Sequence, residues 1–255
     1  MTVVRLDIEY DGSEFSGWAI QPGKRTVQGE LERVLRVVLR RDEVPLTVAG
    51  RTDAGVHAWD QVASYEGEAA PLGSLNALLP PDVAVTESRV VDDGFDARHD
   101  CTSRAYCYRV LTRPARPVLE REHALHWTYP IDLGLLRECA SMLPGTHDFT
   151  AFTPTDTYHV RFDRDVYGAH WTVREHQLLE FWIEADSFMR NMIRTLVGTM
   201  LDIARGKLSV AEFPQLLQGR PRAEAGHTAK ACGLYFAGAG YRGERLLTAP
   251  DSRLA

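Results

Sequence analysis

Val4-Arg5-Leu6-Asp7-Ile8-Glu9-Tyr10 alternates apolar and charged or polar residues without a break, the period of a strand with one face buried and the other wet. Such a strand belongs in an antiparallel sheet, because parallel strands covered on both faces read as continuous apolar runs. Outward from it, the turn-rich Asp11-Gly12-Ser13 opens a loop that passes Gly23, and Thr26 is placed to cap a helix. In that helix Val27, Leu31, Val34, Leu35, Val38 and Leu39 form a single apolar stripe. Short strands are predicted over residues 46–49 and 61–65, on either side of a glycine-containing loop.

A second round follows an arginine-rich strand. Asp132 can cap a helix with Leu133, Leu136, Ala140 and Leu143 on one face, and strands are predicted over residues 165–173 and 178–185. The most regular helical spacing in the chain comes next, through Met189, Met192, Ile193, Leu196, Val197, Met200, Leu201 and Ala204. Ser209 and Glu212 form a capping box for a shorter helix, and residues 234–237 read as a closing strand. The fold class is therefore α+β: two similar halves sharing a mainly antiparallel central sheet flanked by helices. Pro114, Pro117 and Pro130 interrupt the pattern, so the expected halves are residues 1–113 and 114–255.

Composition narrows the function. With 255 residues, 44% hydrophobic and 25% charged, the chain can bury a substantial core. No apolar run approaches the ~20 residues of a membrane span, and the opening residues enter the strand pattern directly, so a cytoplasmic protein is expected. Cys101, Cys107, Cys139 and Cys232 show no C-x-x-C spacing, and His123 with His126 is a bare H-x-x-H; no metal is expected. A net charge of −6 excludes a protein that coats nucleic acid through a generally basic surface. Any such site is local. Arg98, Arg104, Arg109, Arg113, Arg116 and Arg121 fall in one stretch, which is as compatible with a solvated strand and loop as with a phosphate track.

The loop Gly50-Arg51-Thr52-Asp53-Ala54-Gly55-Val56-His57 places a carboxylate between two short apolar strands. Two readings of Asp53 are open on local chemistry. In an Asx-turn it hydrogen-bonds its own backbone; alternatively it projects from a rigid scaffold and is available for chemistry. Likewise Tyr106, Tyr108 and Val110 alternate on a strand, which is compatible with a core role, and Arg194 lies on an apolar helix, which is compatible with a solvated flank.

This loop is similar to the catalytic signature of the tRNA pseudouridine synthases that modify the anticodon stem-loop. The resemblance is collinear over nearly the whole chain. It takes in Tyr10-Asp11-Gly12, Gly17-Trp18, Gln21, Thr26-Val27-Gln28, Phe95-Asp96-Ala97-Arg98 and Ser103-Arg104-Ala105-Tyr106-Cys107-Tyr108. Further on it takes in Gly145-Thr146-His147-Asp148-Phe149, Met192-Ile193-Arg194-Thr195-Leu196-Val197-Gly198, Thr228-Ala229-Lys230 and Gly233-Leu234-Tyr235. It departs from the family at Ala19-Ile20, where a glutamine often follows the tryptophan, and at Arg161-Phe162, where threonine usually follows the arginine.

The resemblance implies the pseudouridine synthase fold, with Asp53 as nucleophile, Arg194 as the cation paired with it, and Tyr106 as the ring that packs on the target base. Arg51 would hold the nucleotide or the aspartate loop. Phosphate contacts are expected from Arg98, Arg104, Arg161 and Arg190. The implied substrate is tRNA, at positions 38, 39 and 40 of the anticodon arm, with the target base extruded from its stack, and the implied assembly is a homodimer. No cofactor is expected, because the isomerisation involves neither redox change nor hydrolysis. Two other classes remain to compare: an RNA-binding protein of the same fold without catalysis, and an aspartate-dependent hydrolase, for which the chain has no P-loop and no G-x-S-x-G elbow.

Overall fold

The computed structural model describes residues 2–157 and 159–247. In chain order its main elements are β1 (Val3–Tyr10), α1 (Val27–Leu39), β2 (Thr47–Val48), β3 (His57–Glu66), α2 (Leu72–Leu78), β4 (Val83–Val91) and β5 (Cys101–Leu111). They continue with β6 (Leu125–His126), α3 (Leu133–Ser141), β7 (Gly145–Asp148), β8 (Asp163–Arg174), β9 (Leu178–Ala185), α4 (Met192–Ala204), α5 (Phe213–Leu216) and β10 (Leu234–Tyr241). The strands pair both antiparallel and parallel, and the chain divides into two compact units, Met1–Arg104 with Tyr235–Glu244 and Ala105–Leu234 with Arg245–Ala255.

In the first unit the strand order is β4-β1-β3-β10, with β2 also on β3. β1 is antiparallel to both neighbours, Leu6 lying opposite Ala63 on β3 and Ser88 on β4. Val4, Leu6 and Ile8 are fully buried, as the alternation predicts. The opposite face is wet only at Glu9. Arg5 donates from Nε and Nη2 to Asp7 Oδ1, at 2.8 and 2.6 Å, and its guanidinium lies 5.2 Å from the ring centre of Tyr241 on β10. Pairing with a neighbour thus lets this face carry charge while half covered. β3 starts at His57, earlier than residue 61, because β10 runs parallel to its first residues, with Tyr235 opposite His57 and Phe236 opposite Ala58.

α1 forms where Thr26 predicts: its hydroxyl accepts from Gly29 N, and the buried stripe is Val27, Leu31, Val34, Leu35 and Leu39. Each of these side chains contributes about 1.5–3 kcal/mol on burial, against about 1 kcal/mol for the cap. Packing, more than capping, therefore holds the helix. α2 and β4 escaped the sequence pattern for a physical reason, since α2 buries Leu75 alone and the outer half of β4 has no buried residue.

In the second unit the order is β5-β9-β8-β7, with β6 parallel to β5. β8 and β9 form an antiparallel hairpin with His170 opposite Trp182. Asp132 caps α3 by accepting from Leu135 N, as expected. Ser209 and Glu212 make their capping box, though it opens a 3-10 turn before the four-residue α5. Near the end of the described chain, the buried carboxylate of Glu184 accepts from Leu246 N and Leu247 N at 2.9 Å.

α4 departs from expectation in two ways. Met189 lies outside it, because Asn191 takes a left-handed conformation, φ 62°, and starts the helix only at Met192. Nor does α4 bury a single stripe: every one of its residues except Arg194 is buried. Residues 226–229 cover the second face. A Cβ on Gly198 would lie 1.8 Å from the carbonyl oxygen of His227, so only glycine permits that approach. The polar side chains on this face are matched, Thr199 Oγ1 accepting from Gly226 N and Thr195 Oγ1 meeting Thr228 Oγ1.

Candidate active site

The Asp53 loop is shaped by what packs against it in the first unit. At its base Ala49 N donates to Val62 O, and Gln61 Nε2 donates to Gly50 O at 2.8 Å. The turn closes with Val56 N donating to Asp53 O, and Gly55 takes φ +76° to allow it. The segment that follows β1 then clamps the loop at three points. Trp18 N donates to Thr52 O, Gly55 N donates to Phe15 O, and Gly12 N donates to His57 Nδ1 at 3.0 Å.

Two glycines make the clamp possible. A Cβ on Gly12 would lie 2.0 Å from Val56 O, and one on Gly17, which holds φ +94°, would lie 2.8 Å from Thr52 O. Below both, the Tyr10 hydroxyl meets Thr52 Oγ1 at 2.7 Å inside the core. Burial pushes the Tyr10 phenol up to about 12, so it stays neutral and can donate or accept. Tyr10, Gly12 and Gly17 stand in the quoted motifs, but no chemical role attaches to them in sequence; their contacts with the loop appear only once it is folded.

Asp53 itself is half-exposed. Among the described residues its carboxylate accepts no hydrogen bond and joins no ion pair, so the Asx-turn is not what holds it. The backbone around it is fastened and the side chain is left available. Arg51, two residues earlier, is exposed. Arg98 is exposed as well, whereas Arg104 donates from Nε, Nη1 and Nη2 to the carbonyls of Ala49, Cys101 and Arg98, the first at 2.8 Å. Arg104 is thereby a strut under the strand that leads into the loop.

In the second unit Tyr106 is buried on β5 and meets Phe188 edge to face, with ring centres 5.1 Å apart. Arg194 is half-exposed and held on two of its nitrogens. Nε donates to Ala229 O at 2.7 Å and Nη1 to Asn191 Oδ1 at 2.9 Å, while Ala229 N donates back to Arg194 O at 3.0 Å. Arg161 is exposed, and Arg190 pairs through Nη2 with Asp156, holding that carboxyl below its usual range. A buried neighbour, Arg164, bonds the carbonyls of Arg161 and Asp163.

Comparison with known proteins gives a consistent picture. A family model described as tRNA pseudouridine synthase matches residues 139–242. The chain is similar to the tRNA pseudouridine synthase A of Bacillus velezensis, 41% identical over 240 residues, covering 91% of this chain and 96% of that protein. It is similar to the Bacillus subtilis protein of the same name, 40% identical over 242 residues with the same shares covered. The Chromobacterium violaceum protein of that name is 39% identical over 246 residues, covering 94% of each chain.

Proposed function

From the premise that this chain belongs to the tRNA pseudouridine synthase A family and isomerises uridine to pseudouridine in tRNA, we propose that Asp53 is its nucleophile. The reaction breaks the N1–C1′ glycosidic bond, turns the freed uracil, joins C5 to C1′ and moves the C5 proton to solvent while N1 gains one. Atoms and electrons balance without redox change, hydrolysis or a cofactor. An ionised carboxylate serves this chemistry by attacking the nucleotide covalently or by stabilising a cationic sugar. The observation that carries the proposal is the Asp53 loop: its backbone is clamped by residues 12–18, and its carboxylate is not consumed by any local hydrogen bond among the described residues.

Arg194 is the proposed cation that pairs with this carboxylate, its planar guanidinium matching the geometry of a carboxylate. Its support is the shared motif around it and its position as the half-exposed residue of an otherwise buried helix. Tyr106 is proposed to pack on the target base, and Arg51 to hold the nucleotide. Arg98, Arg161 and Arg190 are proposed phosphate contacts, which give affinity and a steep salt dependence, whereas Arg104, expected among them, is bonded through all three nitrogens to main-chain carbonyls and is proposed as a support of the loop. Arg190 would exchange Asp156 for a phosphate. The family resemblance supports uridines 38, 39 and 40 as targets, a homodimer as the working assembly, and a cytoplasmic location.

The test is Asp53→Asn, assayed by tritium release from C5-labelled uridine in tRNA under single-turnover conditions with saturating enzyme. The amide is nearly isosteric but cannot act as an anion, so pseudouridine formation is expected to vanish with the melting curve unchanged. A rate for Asp53→Asn close to that of the parent sinks the assignment. Mapping pseudouridine in tRNA from cells with and without the protein tests the positions.

A further inference from the structure

We propose that Asn191 is a positioning residue for Arg194, its side-chain oxygen fixing the plane of the guanidinium so that the Nη2 edge is presented in one orientation. The inference rests on the reading of Arg194 as a functional cation.

Three observations carry it. First, Asn191 occupies the N-cap of α4, where its carbonyl accepts from Thr195 N at 2.9 Å, yet it makes no side-chain cap hydrogen bond. Asparagine is among the best N-cap residues because its oxygen ordinarily accepts from the first turn of the helix; here that oxygen accepts from Arg194 Nη1 instead, at 2.9 Å. Second, Asn191 holds φ 62° and ψ 0°, a region that L-residues other than asparagine, aspartate and glycine enter at a cost. This conformation accompanies a side chain turned to the arginine and away from the helix end, and unusual backbone of this kind gathers at functional sites. Third, the bond complements the one from Nε to Ala229 O at 2.7 Å. Ala229 is itself tied back to Arg194 O, and the segment before it lies on α4 through the close approach of Gly198 to His227.

A planar group held at Nε and Nη1 cannot turn about its terminal bonds. Among the described residues Nη2 donates to nothing. The remaining edge is therefore pre-aimed, which removes from the reaction the entropy of ordering a long side chain. Ala229 supplies a main-chain carbonyl that no substitution deletes. Asn191 is the member of the pair that mutation can reach.

The experiment compares Asn191→Gly and Asn191→Asp, each alone and combined with Arg194→Lys, by single-turnover pseudouridine formation, by the dependence of that rate on enzyme concentration, and by thermal unfolding. Glycine takes the same backbone conformation freely but has no acceptor. Asn191→Gly is expected to leave the melting temperature at or above that of the parent, to leave tRNA affinity unchanged, and to slow the saturated rate by about tenfold to a hundredfold, the scale of a displaced catalytic group. Aspartate keeps both the conformation and the acceptor, so Asn191→Asp is expected to restore most of the rate. In the Arg194→Lys background the glycine substitution is expected to add nothing, because coupled residues are non-additive.

A merely structural Asn191 would instead move stability and rate together. Parental rate in Asn191→Gly overturns the proposal, as does equal loss in the glycine and aspartate variants or a glycine effect that persists with Arg194→Lys. Parental rate in both Arg194→Lys and Arg194→Ala overturns the reading of Arg194 and this proposal with it, whereas inactive Arg194 variants beside a fully active Asn191→Gly overturn this proposal alone.

Discussion

Replacing Gly17 by alanine separates the clamp on the Asp53 loop from the carboxylate itself. At Gly17 the backbone φ is +94°, and an added Cβ would stand 2.8 Å from Thr52 O and 3.2 Å from Asp53 C and Ala54 N. Ordinary van der Waals contact of a Cβ begins at 3.4 Å, so the 52–54 peptides or the 16–18 turn must move apart by roughly half an ångström to reach it, an overpacking cost of about 1–3 kcal/mol. The left-handed conformation adds about 1–2 kcal/mol for a residue with a Cβ. The sum, about 2–5 kcal/mol, is a large part of the 5–15 kcal/mol that a folded domain has in hand. It corresponds to a melting temperature lower by on the order of 5–15 °C for a chain of this size.

The rate is expected to fall as well, by about ten- to a hundredfold, since the displaced peptides are those that carry Asp53. The control lies in the same loop: Gly23 holds φ +70° but its Cβ would meet nothing within 4 Å. Gly23→Ala therefore has the backbone term, about 1–2 kcal/mol, and no displacement of the loop. The assay is single-turnover tritium release with saturating enzyme, beside calorimetric unfolding of each variant. If Gly17→Ala matches Gly23→Ala in both melting temperature and rate, the clamp does not position Asp53 and the argument from close approach fails.

Tyr10→Phe removes the hydroxyl that meets the buried Thr52 Oγ1 and leaves that oxygen unsatisfied, a loss of about 1–3 kcal/mol. Adding Thr52→Val, which removes the second polar partner, is expected to recover part of it in thermal unfolding; a double mutant as unstable as the sum of the two singles would count against the bond. The buried Asp202 answers to pH. Burial alone would raise its carboxyl, but His227, Lys207 and Arg205 around it outweigh that and hold it below the usual 3.8. Being lower in the folded than in the unfolded chain, it contributes stability that is complete above pH 3.8 and disappears as the pH falls through its folded value. Denaturant midpoints of the parent and Asp202→Asn should thus differ at pH 7 and draw together toward pH 3, and parallel curves across that range would disprove the assignment.

Local pattern carried much of this protein. The strand at residues 4–10, the helix under Thr26, the caps at Asp132 and Ser209 and the strands β8 and β9 depend on interactions within a few residues, and each forms where the sequence places it. The Asp53 loop was recognisable too, because its residues make a specific motif. What local pattern misjudged was wherever a distant segment supplies the other half of the interaction. β3 begins early because β10 pairs with it, the charged face of β1 is half covered because Tyr241 lies against Arg5, and α4 is buried all round because residues 226–229 lie across Gly198.

The sequence by itself determined the α+β class and the family and singled out Asp53 as the candidate carboxylate, since these reside in residue type and short-range spacing. Only the tertiary structure decided that Asp53 accepts no hydrogen bond among the described residues while its backbone is clamped, that Arg194 is the half-exposed residue of a buried helix, and that Asn191 turns from capping to hold it. The physical reason is the same in each case. Helix and strand periods encode which side of an element is apolar, but a hydrogen bond or a close approach between residues 12 and 57 or 194 and 229 depends on both partners' positions in space.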